Sequence, residues 1–261
     1  MQPVCLITGA SSGIGAALAR VFAAHGHQVA LTARREAHLQ ALADAIAKGG
    51  AARPQVIAAD LGAAEGPAQL AEALARHGLG PAIVVNNAGF GLLGEAAALD
   101  RTSQLAMIDL NVRALTDLSL RWIESVTRHR GGILNVASIA GFLPGPGMTV
   151  YHATKAYVVP FSEALHQELK GSGVRVCALC PGPVATEFNQ QAGVPHDYFP
   201  AILSRSAGRV AREGYAGFMA GHRIVVPGVQ NRIVTLLPRL LPRALINAAT
   251  AWRWAEAHRH G

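Results

Sequence analysis

Seven short apolar runs alternate with longer stretches of helical pattern, and that alternation leaves few folds open to this chain. Residues 4–8, 28–33, 55–59, 82–86, 133–137, 174–180 and 223–226 read as strands. Intervening segments such as 14–25, 36–48 and 66–77 carry apolar residues at helical spacing. Strands and helices in this rhythm form a parallel sheet with helices on both faces, a doubly wound α/β architecture. No composition break precedes about residue 200 and no internal repeat is visible. The expected organisation is one domain over residues 1–228, with a Pro- and Gly-bearing lid at about 183–206. A basic helical extension over 229–261 is expected to pack on that domain.

The first strand runs into a glycine loop, Gly9-Ala10-Ser11-Ser12-Gly13-Ile14-Gly15, which opens the first helix. Gly9 permits a tight turn, Gly13 lets backbone approach a pyrophosphate, and Gly15 lets the helix pack close to the sheet. The helix N-terminus adds free N–H groups and a partial positive charge for the anion. An ordinary strand–helix turn shares this pattern, so the neighbouring strand ends carry the distinction. The second strand ends Ala33-Arg34-Arg35, with no acidic residue to accept from a free ribose 2′-hydroxyl. Arg34 can instead pair with a 2′-phosphate, helped by the Ser11 and Ser12 hydroxyls, which favours NADP(H) over NAD(H). Arg35 reads as a solvated first-turn residue. The third strand ends Ala59-Asp60-Leu61, which places a carboxylate where it could accept from an adenine amino group.

Ser138 follows the fifth strand, and thirteen residues later Tyr151-His152-Ala153-Thr154-Lys155 opens a helix expected to run to about Gly171. The i, i+4 spacing puts Tyr151 and Lys155 on one helical face. A phenol with a pKa of about 10 is a poor proton carrier at neutral pH. A nearby ammonium, and a cationic oxidised nicotinamide, would lower that value. Tyr151 can then give its proton to a ketone oxygen as hydride arrives at carbon, or take one back in reverse. Ser138 would hydrogen-bond the same oxygen. His152 is expected to point elsewhere on the helix and to have no role.

Taken together, the glycine loop, Asp60, Asn86-Asn87-Ala88-Gly89, Asn111, Ser138, Tyr151, Lys155, Pro181-Gly182, Val184 and Thr186 stand in an order that resembles the classical short-chain dehydrogenase/reductase family over about residues 1–226. The resemblance implies a seven-stranded Rossmann fold, usually in dimers or tetramers, and an NADP(H)-dependent oxidoreductase acting on CH–OH donors. It implies that Asn87, Ala88 and Gly89 line the adenosine side of the cofactor and that Val184 and Thr186 contact the carboxamide. Asn111 would hold a water in a proton relay through Lys155, and Lys155 would also bind the nicotinamide ribose. Ile14 and Leu61 complete the expected cofactor contacts. No metal is expected.

The expected substrate is a hydrophobic or aromatic carbonyl compound. Phe90, Leu92, Leu93, Phe142, Leu143, Met148, Phe188, Val194, Tyr198 and Phe199 populate the segments expected to wall the pocket, and no Lys or Arg occurs in them before Arg205. Two alternatives stay open: a reductase of 3-oxoacyl thioesters or hydroxysteroids, and a non-catalytic NADP-binding regulatory protein. The latter would need neither the phenol nor the relay.

Charge is placed unevenly. Residues 205–261 carry nine arginines against Glu213 and Glu256, the whole net charge of +7, while the first 204 residues balance at 14 basic and 14 acidic groups. Such a balanced domain gives no reason to expect nucleic acid. In the tail, Val229, Ile233, Leu236, Leu237 and Leu240 recur at helical spacing beside Arg232, Arg239 and Arg243, and Pro227, Pro238 and Pro242 are expected to break the region into short helices. Its apolar face is expected to cover the substrate site or a subunit contact, with an anionic membrane surface as the alternative. Residues 131–154, the longest stretch without Asp, Glu, Lys or Arg, are too interrupted by Gly and Pro to span a membrane. Three cysteines make no disulfide framework and fit a reducing, cytoplasmic setting. Cys177 and Cys180, three apart on a strand, should face opposite ways and form no redox pair.

Overall fold

All seven expected strands form, in one parallel sheet ordered β3-β2-β1-β4-β5-β6-β7. They are β1 (Gln2–Thr8), β2 (Val29–Ala33), β3 (Gln55–Ala58), β4 (Leu79–Asn86), β5 (Gly132–Val136), β6 (Arg175–Leu179) and β7 (Ile224–Val225). This computed structural model describes residues 1–195 and 198–259, with the backbone alone for Arg253 and residues 256–259. The helices between the strands are α1 (Gly13–Ala24), α2 (Glu36–Lys48), α3 (Gly66–Arg76), α4 (Arg101–Ile108), α5 (Leu115–Arg121), α6 (Ile123–Arg128), α7 (Thr149–Glu168), α8 (Glu187–Gln191) and α9 (Ala207–Met219). Beyond β7 come α10 (Val229–Leu240) and α11 (Arg243–Arg259).

The alternation of side chains along β1 builds the two layers. Cys5 and Ile7 face a core that includes Phe22 of α1, Leu39 of α2 and Phe218 of α9. Val4 and Leu6 face the other side, against Leu70 of α3, Leu118 of α5 and Leu165 of α7. Buried on both faces, these strands read as nearly unbroken apolar runs. Cys177 and Cys180 are free and buried in different clusters, Cys177 with the α1 side and Cys180 with Val158 of α7.

The tail differs from expectation in two ways. Pro238 lies inside α10 rather than ending a helix. It removes the i→i−4 bond to the Val234 carbonyl, and only two residues of the helix follow it. More consequentially, α10 turns its polar side inward: Asn231 and Thr235 are buried, while Val229, Ile233, Leu236 and Leu240 are exposed. Among the described residues, no helix is long and apolar enough to cross a membrane.

Candidate active site

The sheet order reverses between β1 and β4, and the loops that leave these two strands diverge to open a crevice. Thr8 ties them together. Its hydroxyl accepts from the backbone N–H of Asn87 at 2.9 Å and of Ala88 at 3.0 Å. The Asn87 side chain in turn donates to the Thr8 carbonyl at 2.9 Å. Packing here excludes any larger residue than glycine: a Cβ on Gly9 would lie 2.8 Å from the Ala88 Cα, and one on Gly15 would lie 2.4 Å from the Gly9 carbonyl oxygen. Gly9 also has φ of +63°. The first turn of α1 carries no acidic residue and its N-cap Ser12 makes no side-chain cap bond, so the helix offers its N–H groups to an anion. This cradle fits a dinucleotide pyrophosphate.

Four side chains meet deeper in the crevice. α4 and α5 are joined by a π-helical segment, Asp109–Ala114, in which Asn111 is fully buried. Such local widening re-aims a side chain and often marks a functional site. The Asn111 amide donates to the Phe90 carbonyl at 2.9 Å and to the Thr154 hydroxyl at 3.1 Å, while its Oδ1 accepts from the Phe90 N–H at 3.1 Å. Ser138 caps a 3₁₀ turn, accepting from the Ala140 N–H at 3.1 Å. Tyr151 and Lys155 sit on the first turns of α7, with the Lys155 Nζ 5.8 Å from the phenol ring centre and donating to the Val136 carbonyl at 2.8 Å.

The electrostatics differ from the sequence expectation. Burial pushes the Tyr151 phenol up to about 12, with only a Ser138 hydrogen bond acting the other way. Burial also pulls the Lys155 ammonium down to about 8. Desolvation penalises both charged forms, and here it outweighs the proximity of the ammonium. At neutral pH, Tyr151 therefore carries its proton and Lys155 remains largely charged. Because the ammonium is lost as pH rises through about 8, kcat/KM for carbonyl reduction should be flat below that pH and fall above it. A steady-state pH profile checks this; a rate that climbs between pH 8 and 10 would contradict it.

The adenosine edge also departs from expectation. Arg34 is exposed. Arg35, expected to be solvated, instead donates to the Ser11 hydroxyl at 3.1 Å and forms an ion pair of 2.7 Å with Glu187, the first residue of α8. That guanidinium, with the Ser12 hydroxyl, holds the Glu187 carboxyl below its ordinary range. Asp60 is exposed and accepts from the Gly62 N–H at 3.0 Å. Leu61, expected against the cofactor, is buried in the core under α3 instead. Gly9, Ser12, Gly13 and Ile14 of the glycine loop, residues 87–89, and Pro181, Gly182, Val184 and Thr186 share one cavity of about 360 Å³ with Ser138, Tyr151 and Lys155, which Ser11, Gly15, Arg34, Asp60 and Asn111 do not line.

At its other end the cavity is largely apolar. Leu143, Met148, Phe188, Val194, Tyr198 and Phe199 line it as expected, whereas Phe90, Leu92, Leu93 and Phe142 do not. Phe142 packs with Val158 and Val226, and Leu93 backs onto Met148. His196 and Asp197, within the expected lid, lie outside the described residues. His152 lines the cavity, contrary to expectation. Its Nδ1 donates to the Leu143 carbonyl at 2.8 Å, and burial lowers its pKa, so it is a neutral ring. The tail supplies further walls in Val234 of α10 and Thr250 and Trp254 of α11.

Residues 3–195 match the model of the short chain dehydrogenase family. The chain belongs to that family. This short-chain dehydrogenase is 34% identical to a short-chain dehydrogenase from Sphingobium yanoikuyae solved in complex with NADPH, with 88% of this chain and 89% of that one aligned at a TM-score of 0.78. A bulky-bulky ketone specific alcohol dehydrogenase from Comamonas testosteroni is 30% identical over 88% of this chain and 87% of that one, at a TM-score of 0.74. Sulfoacetaldehyde reductase 2 of Chromohalobacter salexigens is 37% identical over 197 residues, 72% of this chain and 75% of that one. The dehydrogenase is accordingly an NADP(H)-dependent oxidoreductase acting on alcohols and carbonyls.

Several functional side chains in this dehydrogenase carry no motif signal. Thr8 joins the two cofactor loops, and Asn231 fixes the loop after β6: a Cβ on Gly182 would lie 2.4 Å from the Asn231 Oδ1. The Asn231 amide also donates to the Pro227 carbonyl at 2.8 Å and the Leu203 carbonyl at 3.2 Å.

Proposed function

We propose that this short-chain dehydrogenase interconverts a bulky hydrophobic or aromatic ketone or aldehyde with its alcohol, with Tyr151 as the proton donor in reduction. The observation that carries this reading is the half-buried, protonated phenol beside Ser138 at the inner end of a cavity whose far walls are apolar. NADPH held at the glycine loop would supply the hydride. Ser138 accepts from the Ala140 N–H and reaches the Pro181 carbonyl only at 3.4 Å, so its hydroxyl hydrogen, shared with the Tyr151 phenol, can turn to a substrate oxygen. Tyr151 gives its proton to that oxygen as charge develops there, and the Lys155 ammonium stabilises the phenolate left behind. Asn111 holds Phe90 and Thr154 in place around the pair, and we assign it the support of the proton relay that reloads Tyr151. Arg35, together with Arg34 and Ser11, is assigned to the cofactor's 2′-phosphate.

The substrate class is tested with a ketone panel. Aryl and branched alkyl ketones should show kcat/KM about tenfold or more above sulfoacetaldehyde and small keto acids, since each buried methylene contributes about 0.8 kcal/mol. Trp254→Ala should erode that preference by enlarging the pocket wall. A clear preference for the small anionic carbonyls would sink the assignment. The proposed assembly is a homodimer or homotetramer, supported by the exposed Leu105, Ile108 and Leu120 on α4 and α5 and Tyr157 on α7. Light scattering on a Leu120→Asp variant should then report a smaller particle than the parent protein.

A further inference from the structure

The two tail helices present opposite chemistry on their two sides. At 3.6 residues per turn, Val229, Ile233, Leu236 and Leu240 fall within an arc of about 60° on α10. That arc lies away from the buried Asn231 and Thr235 and is exposed by 65%, 55%, 48% and 78% at the four positions. On α11 the pattern repeats: Ile246, Thr250 and Trp254 share the inward side, while Leu245 and Trp252 share the outward side, exposed by 57% and 60%. Leu237 and Leu241 extend the apolar surface. An isolated exposed leucine needs no explanation, but a continuous stripe on two adjacent helices does.

Charge identifies what covers the stripe. Arg232, Arg239 and Arg243 are exposed alongside it, and there is no Asp or Glu anywhere between Val229 and Ala255. A second copy meeting this face would bring the same apolar stripe and the same unopposed arginines, so the cations would face each other. A layer of anionic headgroups brings the opposite charge, and the acyl boundary beneath it takes the leucines and Trp252. We propose that the outward face of α10 and α11 docks on an anionic lipid surface. The inward sides of the same helices carry Val234, Thr250 and Trp254, which line the substrate cavity. Docking therefore sets the cavity beside the bilayer, and an apolar carbonyl dissolved there reaches Tyr151 with little exposure to water. That last consequence rests on the apolar substrate class proposed above, whereas docking does not.

Co-sedimentation of the full-length protein with vesicles of phosphatidylcholine, alone or mixed with phosphatidylglycerol, tests the docking without any substrate. Binding to the mixed vesicles, negligible binding to the neutral ones and release by salt are expected. The paired substitution Leu236→Ser, Leu240→Ser leaves the charge unchanged and should weaken binding about tenfold or more, because each leucine removed from the acyl boundary gives up hydrophobic transfer energy. Both residues are exposed and outside the catalytic machinery, so NADPH affinity should be unchanged and serves as the folding check. Absence of binding to the mixed vesicles would overturn the proposal. So would undiminished binding by the serine variant, which would mark general attraction of a basic protein to anionic lipid. A fall in particle mass for that variant in lipid-free solution would assign the face to a second copy and would equally overturn it.

Discussion

Tyr151→Phe is expected to lower kcat/KM for ketone reduction by roughly 10²–10⁴-fold, the usual range for loss of a positioned general acid. NADPH affinity should stay within about twofold, because the lost hydroxyl bonds Ser138 rather than the glycine cradle. The structure sharpens why the effect should be this large. The phenol is half-buried and its pKa is driven upward, while of its described neighbours Lys155 is engaged with the Val136 carbonyl and His152 is a neutral ring bonded to Leu143. Fluorescence titration with NADPH beside steady-state kinetics separates the two readouts. Unchanged turnover in the variant would remove Tyr151 from the mechanism.

Arg35→Ala should raise the Kd for NADPH by roughly 10–100-fold and leave that for NADH nearly unchanged, since charged hydrogen bonds contribute about 1.5–3 kcal/mol each. Glu187→Gln should act in the opposite direction. The carboxylate now occupies the guanidinium at 2.7 Å, and a phosphate must share or displace it. Removing the competing charge should tighten NADPH by several-fold without helping NADH. Arg34→Ala, at an exposed position, should show a smaller version of the Arg35 effect. Equal losses with both cofactors in Arg35→Ala would show that the residue supports the loop and does not read the phosphate. Calorimetric titration of both dinucleotides against the three variants resolves these outcomes.

What was legible in the sequence, and what was not, follows from range. α2 was read at its observed bounds because Glu36 to Lys48 is a self-contained amphipathic repeat. Ser138, Tyr151 and Lys155 were legible because strand end and helix start fix their spacing locally. The ion pair of Arg35 was not, since its partner Glu187 arrives from α8 about 150 residues later. The sequence placed an ammonium near a phenol but could not show how far both would be withdrawn from water, and that desolvation sets the direction of both pKa shifts. In α10, periodicity located the apolar stripe correctly. It could not say which side faces inward; the Pro227 and Leu203 carbonyls, both bonded by Asn231, decide that. The π-helical turn around Asn111 has no sequence signature at all.

One buried network has a bearing on how such an enzyme could change. The Asn86 amide donates to Ser119 at 3.0 Å and to Asn135 at 2.9 Å, and Asn135 donates to Ser162 at 3.0 Å. These four groups cross-link β4, α5, β5 and α7. They lie in a low-dielectric interior where misalignment would leave polar atoms without partners. α5, which continues the segment carrying Asn111, and α7, which carries Tyr151, are thereby pinned to the strands that lead to residues 87–89 and to Ser138. The substrate walls come instead from residues 143–148, the lid and the tail, none of which enters this network. New substrates can thus be explored by rewriting the walls alone, with hydride and proton chemistry inherited intact.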